Sequence, residues 1–330
     1  MTTPTAIVTG AAGFVGFHVT QALLARGARV IGLDNLNPYY DPALKHARLA
    51  QLHVHPSFAF HQIDLADKDA TLAAFAQAEH VTHVVHLAAQ AGVRFSMVDP
   101  WAYVASNVMG HVTVLEAARR LPVLQHLVYA SSSSVYGGNA KLPFAESDPV
   151  DHPVSLYAAT KRADELIAHS YWHLYGLPLT GLRFFTVYGP WGRPDMAYYA
   201  FAEAILAGRP ITLYDEGRPR RDFTYIDDIV TGVLACLDTP PPRAARPPVF
   251  NIGNNRGEPV SELVSLLEAA LGRPALIQHV PRPASDVAET WADLTAIEAQ
   301  TGYRPTTPLS EGIPKFVAWL LAYKGRNATP

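Results

Sequence analysis

Residues 5–16 read TAIVTGAAGFVG, a short apolar run that breaks into glycines at Gly10, Gly13 and Gly16. The helix-period stretch from Phe14 to Arg26 follows directly. A buried strand, a glycine turn and a helix in immediate succession predict the opening unit of a parallel α/β sheet. Glycines there permit a tight turn and let the backbone approach a pyrophosphate. The helix start, including Phe14 and Val15, offers amide donors and a positive dipole end.

The same alternation runs on. ARVIGLD, FAFHQID, HVVHLAA, HLVYASS and LTGLRFF read as further buried strands. Helix-period segments lie between several of them, among them Trp101 to Arg120 and Ser155 to Tyr175. The expected fold is therefore a doubly wound parallel sheet covered by helices on both faces, with ligands at the carboxyl ends of the strands. Beyond about residue 187 prolines multiply, in YGPWGRPD, DTPPPRAARPP and VPRPASD. That change predicts a smaller α/β substrate lobe over residues 187–330. The sheet domain then covers residues 1–186, with returning segments near 223–250.

Of 330 residues, 17% are charged and the formal net charge is -3, which argues against nucleic-acid or membrane partners. The N-terminus has no signal-peptide pattern and no apolar stretch is long enough to span a bilayer, so a cytoplasmic protein is expected. The lone Cys236 reads as a buried helix residue, and no metal-ligand spacing occurs.

Strand ends supply the candidate site. Asp34 closes the second strand roughly 20 residues past the glycines, where a carboxylate receives a ribose and repels a 2′-phosphate, favouring NAD over NADP. Asn35 follows it. Asp64 and Leu65, past the third strand, are placed to meet the adenine, and Leu87, Ala88 and Ala89 let a ribose pass close to the backbone. His86 reads as a core histidine. Tyr157 and Lys161 share a helix face at i and i+4. The ammonium favours the phenolate, which makes Tyr157 a candidate general base. Upstream, Ser131 to Ser134 continue from an apolar strand, so their hydroxyls are expected in the cleft.

Together, the glycine pattern, the serine run and YxxxK resemble the extended short-chain dehydrogenase/reductase superfamily, over nearly the whole chain. Within it the sequence is similar to the nucleotide-sugar 4-epimerases. The resemblance implies a Rossmann-type fold, a tightly held NAD and a homodimer built on the helices around 101–120 and 155–175. It makes Tyr157 the base, Lys161 the ligand of the nicotinamide ribose, Ser132 the hydroxyl partner and Asn107 a cofactor neighbour. Sugar 4,6-dehydratases carry Asp-Glu where Ser133 and Ser134 stand, and UDP-glucuronate decarboxylases a glutamate at Ser134, so both are disfavoured.

DNLNPYYDPALKHARL, AAQAGVRFSMVDPWAYVASN, RFFTVYGPWGRPDMA and GRPRRDFTYIDD look like the UDP-glucuronate 4-epimerases. That similarity implies a UDP-sugar substrate with a C6 carboxylate, met by Arg94, Thr186, Arg193 or the serines. Arg221 resembles a diphosphate-binding arginine placed before a strand, and Asp286 a uridine-ribose acid. A UDP-glucose or UDP-N-acetylglucosamine 4-epimerase is the main alternative. A decarboxylase or a non-catalytic NAD-binding regulator stands further off.

Overall fold

The computed structural model describes residues 4–281 and 288–325. Six strands fall on the six apolar runs: β1 (Thr5–Thr9), β2 (Arg29–Asp34), β3 (Phe58–Gln62), β4 (Val81–His86), β5 (His126–Ser132) and β6 (Leu179–Phe184). The remaining strands are short: β7 (Thr186–Tyr188), β8 (Pro210–Tyr214), β9 (Arg220–Tyr225), β10 (Val249–Ile252), β11 (Gly257–Pro259), β12 (Leu276–Val280) and β13 (Glu289–Thr290). The first helices are α1 (Phe14–Ala25), α2 (Ala43–Leu52), α3 (Lys68–Gln77), α4 (Pro100–Tyr103), α5 (Gly110–Ala118) and α6 (Leu156–Tyr175). They are followed by α7 (Ala197–Leu206), α8 (Ile226–Leu237), α9 (Val260–Leu271), α10 (Thr295–Thr301) and α11 (Leu309–Tyr323).

Seven strands form one parallel sheet in the order β10-β6-β5-β4-β1-β2-β3. The chain leaves β1 through β2 and β3, then returns to β4 on the other side of β1. That reversal opens a crevice outside the strand ends. Successive side chains of each strand enter opposite cores. Val8, Val85 and Val128 pack with α1 and α8 residues such as Phe17 and Ile229. Their neighbours Ile7, Val84 and Leu127 pack with Phe75, Val114 and Ala168 from α3, α5 and α6. Continuous apolar runs are what a sheet buried on both faces requires.

The seventh strand, β10, was not apparent from sequence; it is four residues long and follows the proline-rich loop. A second sheet, β11-β9-β13 with β7 on β9, and the pair β12-β8 build the region beyond the carboxyl ends. Arg221 lies inside β9 rather than before it.

α6 carries Ser155 as its N-cap, whose hydroxyl accepts from the Ala158 amide at 3.1 Å, and it ends at Gly176 in the left-handed conformation. The segment read as one helix from Trp101 is broken: Val104–Met109 is a π-helical turn between α4 and α5. Cys236 is buried in α8, and burial pushes its thiol up to about 12. No described helix is long and apolar enough to cross a membrane.

Candidate active site

A cavity of about 650 Å³ opens at the carboxyl ends of the sheet strands. Gly10, Gly13, Phe14, Val15 and Gly16 line one end, with Asp34, Asn35, Asp64 and Leu65 beside them and Leu87, Ala88 and Ala89 beneath. Gly10 sits at φ +72, and a Cβ there would meet the Ala88 amide nitrogen at 2.8 Å. A Cβ on Gly16 would stand 2.0 Å from the Gly10 carbonyl oxygen. The turn is therefore closed to any side chain at these positions. No side chain caps the start of α1, which leaves its first amides as donors for a phosphate. The cradle fits a dinucleotide pyrophosphate.

Asp34 is buried at the end of β2. Its Oδ2 accepts from the Ala12 amide at 3.2 Å and its Oδ1 from the Leu36 amide at 2.8 Å. The fold brings a cation to it from α2, where Lys45 Nζ lies 3.3 Å from Asp34 Oδ1. Four side-chain oxygens then fold the loop after β2 by bonding the amide two residues on: Asp34 to Leu36, Asn35 to Asn37, Asn37 to Tyr39 and Asp41 to Ala43. These Asx turns are the reason for the spelling DNLNPYYD. They carry Tyr39 and Tyr40 into the cavity wall. Asp64 accepts from the Ala66 amide and from Asn35 Nδ2, so it both caps the β3 end and borders the cavity.

Asn107 is buried and is not itself among the residues lining the cavity, although Ser106 and Gln90 beside it are. The π turn sets it facing the loop after β4, where it clamps Gln90 by both main-chain groups, at 2.8 and 3.1 Å. Its amide also donates to Thr160 Oγ1 at 3.0 Å, tying that loop to α6 beside Lys161.

At the centre stand Tyr157, Lys161, Ser132, Ser133 and Ser134. The Tyr103 ring meets Tyr157 edge-on with centroids 6.0 Å apart, and its hydroxyl donates to the Ala91 and Gly92 carbonyls. Lys161 Nζ donates to the Ala130 carbonyl at 3.0 Å and to Asp164 Oδ2 at 3.1 Å. An ammonium has three donors, so one remains for a ribose. Ser132 Oγ donates to Ser134 Oγ at 3.0 Å and accepts from the Ser134 amide. Ser131 belongs to the frame instead: its hydroxyl donates to Glu165, which Arg183 grips in a buried bidentate pair.

Arg94, Thr186 and Arg193 line the far end. Arg94 stacks over the Tyr214 ring, 5.5 Å from its centroid. Arg193 is no free loop charge: it grips Asp195 through Nε at 3.0 Å and Nη2 at 2.5 Å, and Tyr39 donates to the same carboxylate at 3.2 Å. Arg221 is not part of this lining among the described residues; its guanidinium donates to the Arg220 and Ala288 carbonyls. Asp286 lies outside the described residues. His86 is a core residue as expected, bonded to Thr9 Oγ1 and stacked on His111.

Sequence reasoning did not single out Tyr39, Tyr40, Lys45, Arg48 or Asp195. Fully buried Arg48 bonds the Ala12 carbonyl of the glycine turn, the Tyr40 hydroxyl, and the Trp191 and Gly192 carbonyls. A polar-aromatic loop at a strand's carboxyl end was the signal available for the tyrosines.

Residues 6–253 match the NAD dependent epimerase/dehydratase family. The chain belongs to that family. Among members, the UDP-glucuronate 4-epimerase 4 of Arabidopsis thaliana is 50% identical, over 97% of this chain and 76% of its own. The crystal structure of a UDP-glucuronic acid 4-epimerase from Bacillus cereus, in complex with UDP-glucuronic acid and NAD, superposes with a TM-score of 0.89. It is 32% identical and covers 97% of this chain and 99% of that one. A UDP-glucose 4-epimerase from Thermotoga maritima, with UDP-glucose, superposes with a TM-score of 0.86 at 28% identity, covering 97% and 99%.

The glycine cradle of an epimerase/dehydratase fold gives a direct test. Gly16→Ala drives a methyl group into the Gly10 carbonyl, so the purified variant should release less than ~10% of the NAD that the parent releases on denaturation. Parent-level NAD in a folded Gly16→Ala protein would show that the turn is not the pyrophosphate site.

Proposed function

We propose that the protein is an NAD-dependent UDP-glucuronate 4-epimerase, interconverting UDP-glucuronate and UDP-galacturonate. The observation that carries this is one cavity lined by a dinucleotide cradle, by the Tyr157–Lys161 pair and by Arg193, a guanidinium paired with Asp195. Bound NAD supplies a hydride acceptor in one half-reaction and a donor in the other. Gly10, Gly13 and the start of α1 hold its pyrophosphate, Asp34 with Lys45 its adenosine ribose, and Lys161 the nicotinamide ribose.

Tyr157 takes the proton from the sugar O4 and later returns one to it. The Ser132–Ser134 hydroxyl pair offers donors and acceptors to the sugar hydroxyls. The 4-keto sugar turns over about its link to the anchored UDP, presenting its other face. A 4-keto uronate loses CO₂ when the carboxylate bond aligns with the carbonyl π system. Arg193 and Thr186 at the far end of the cavity hold the carboxylate away from that alignment. Serine at positions 133 and 134, rather than Asp or Glu, leaves no acid and base for elimination.

A homodimer is also proposed. Met97, Val98 and Trp101 are 76%, 75% and 80% exposed, and Val104, Met109, Leu166 and Leu174 extend the apolar surface along the π turn and α6. A surface of this kind marks an interface between chains. Trp101→Glu should convert the dimer to a monomer in light scattering; an unchanged mass, or a monomeric parent, would defeat the assignment.

Two substitutions test the chemistry. Tyr157→Phe should lower turnover of UDP-glucuronate by about two to four orders of magnitude with little change in substrate affinity. An active Phe variant would mean that another group takes the proton. Arg193→Ala should cost roughly 2–5 kcal/mol in kcat/KM for UDP-glucuronate and far less for UDP-glucose, with UDP-pentose appearing among the products. Equal losses on the two sugars would assign Arg193 to the UDP or to the loop.

A further inference from the structure

The face of α6 that carries Tyr157 and Lys161 continues one turn on to Asp164. Lys161 Nζ and Asp164 Oδ2 are 3.1 Å apart, with the two side chains only 4% and 1% exposed. Among the described residues, Asp164 Oδ1 and His111 Nε2 are buried with no hydrogen-bond partner. A buried carboxylate with an unsatisfied oxygen is costly and is not what packing alone selects.

The groups around this pair are accounted for element by element. On α6, Glu165 is matched by Arg183 of β6, by Arg162 and by the Ser131 hydroxyl. From α5 and β4, His111 and His86 are kept neutral by burial and by the neighbouring ammonium of Lys161; His111 is lowered to about 3 and His86 well below its usual range. From β5, the Tyr129 phenol is driven well above its usual range by burial, with the carboxylates of Glu165 and Asp164 adding to it. The groups facing Tyr157 itself are the Lys161 ammonium backed by the Asp164 carboxylate, the Arg193 guanidinium paired with Asp195, and the Tyr103 phenol. Of these, the charge carried by Asp164 is the one that can be removed behind Lys161 without touching the cavity lining.

We infer that Asp164 is a positioning residue for the epimerisation: its carboxylate anchors Lys161 and offsets the ammonium, setting the pH at which Tyr157 becomes a base. The inference rests on Tyr157 acting as that base. Seven residues along a helix set the Cα atoms of Tyr157 and Asp164 about 10 Å apart along its axis, with Lys161 between them. A unit charge at that separation moves an ionisation by about one pH unit at a typical effective dielectric. Burial raises the Asp164 carboxyl to about 6 against the pull of Lys161. The offset is therefore present at neutral pH and vanishes in acid as the carboxyl takes up its proton.

Asp164→Asn removes the charge while an amide oxygen can still accept from Lys161. The test is kcat/KM for UDP-glucuronate from pH 5 to 9, with Asp164→Ser as a second neutral variant and Asp164→Glu as the charged control. In both neutral variants the acid limb should move to lower pH by about one unit. Their activity should exceed the parent's between pH 6 and the plateau and converge with it in acid, while Asp164→Glu keeps the parent limb. Superimposed limbs, a uniform loss at every pH, or movement to higher pH would each overturn the inference. A parent silent on UDP-glucuronate would instead sink the functional reading, and this inference with it.

Discussion

A guanidinium with no carboxylate partner among the described residues holds the two halves of the site in register. Arg48 is fully buried, and its five N–H donors are spent on oxygens: the Ala12 carbonyl, the Tyr40 hydroxyl, and the carbonyls of Trp191 and Gly192. Burying an unpaired charge is tolerable only when every donor is met. Here that requirement fixes the glycine turn, the tyrosine loop and the loop before Arg193 at once. His18 adds a second bond across the same seam, to the Pro190 carbonyl at 3.0 Å. The glycine turn and the loop that carries Arg193 are thus parts of one seam, although 144 residues separate Arg48 from Gly192.

A buried ion pair does comparable work under α6. Glu165 on α6 receives two bonds from Arg183 on β6 and one from Ser131 at the end of β5. Arg183 also donates to Tyr136, whose hydroxyl reaches Asn251 on β10. The chain of contacts crosses three adjacent strands, so α6 cannot slide along the sheet without leaving buried charges unpaired. The phenol and ammonium of Tyr157 and Lys161 inherit their placement from that frame.

Much of this was legible in the chain. Strands buried on both faces spell unbroken apolar runs, and six of the seven could be read that way. Because ligands gather at strand ends, the cradle, Asp34, Asp64, the serines and the YxxxK pair followed from the same reading, and all line the cavity. Lys45, Arg48, Asp164 and Asp195 were not legible as site residues. Each matters through a partner that only the fold supplies, and a charged residue on a helix or loop otherwise reads as solvated. Asn107 shows the converse: the sequence singled it out, while its bonds to Gln90 and Thr160 emerge only from the fold. The helix carrying it is not regular, and periodicity cannot register one surplus residue.

That surplus residue sets a constraint of its own. A π turn holds one residue more than an α turn would, so the chain beyond it is rotated by about 100° relative to an uninterrupted helix. Were Val104–Met109 to anneal into regular α-helix with every residue kept, either Asn107 would turn away from Gln90 or the apolar face of α5 would turn away from the sheet. Regular hydrogen bonding along that backbone, at its present length, is the conformation this helix must avoid.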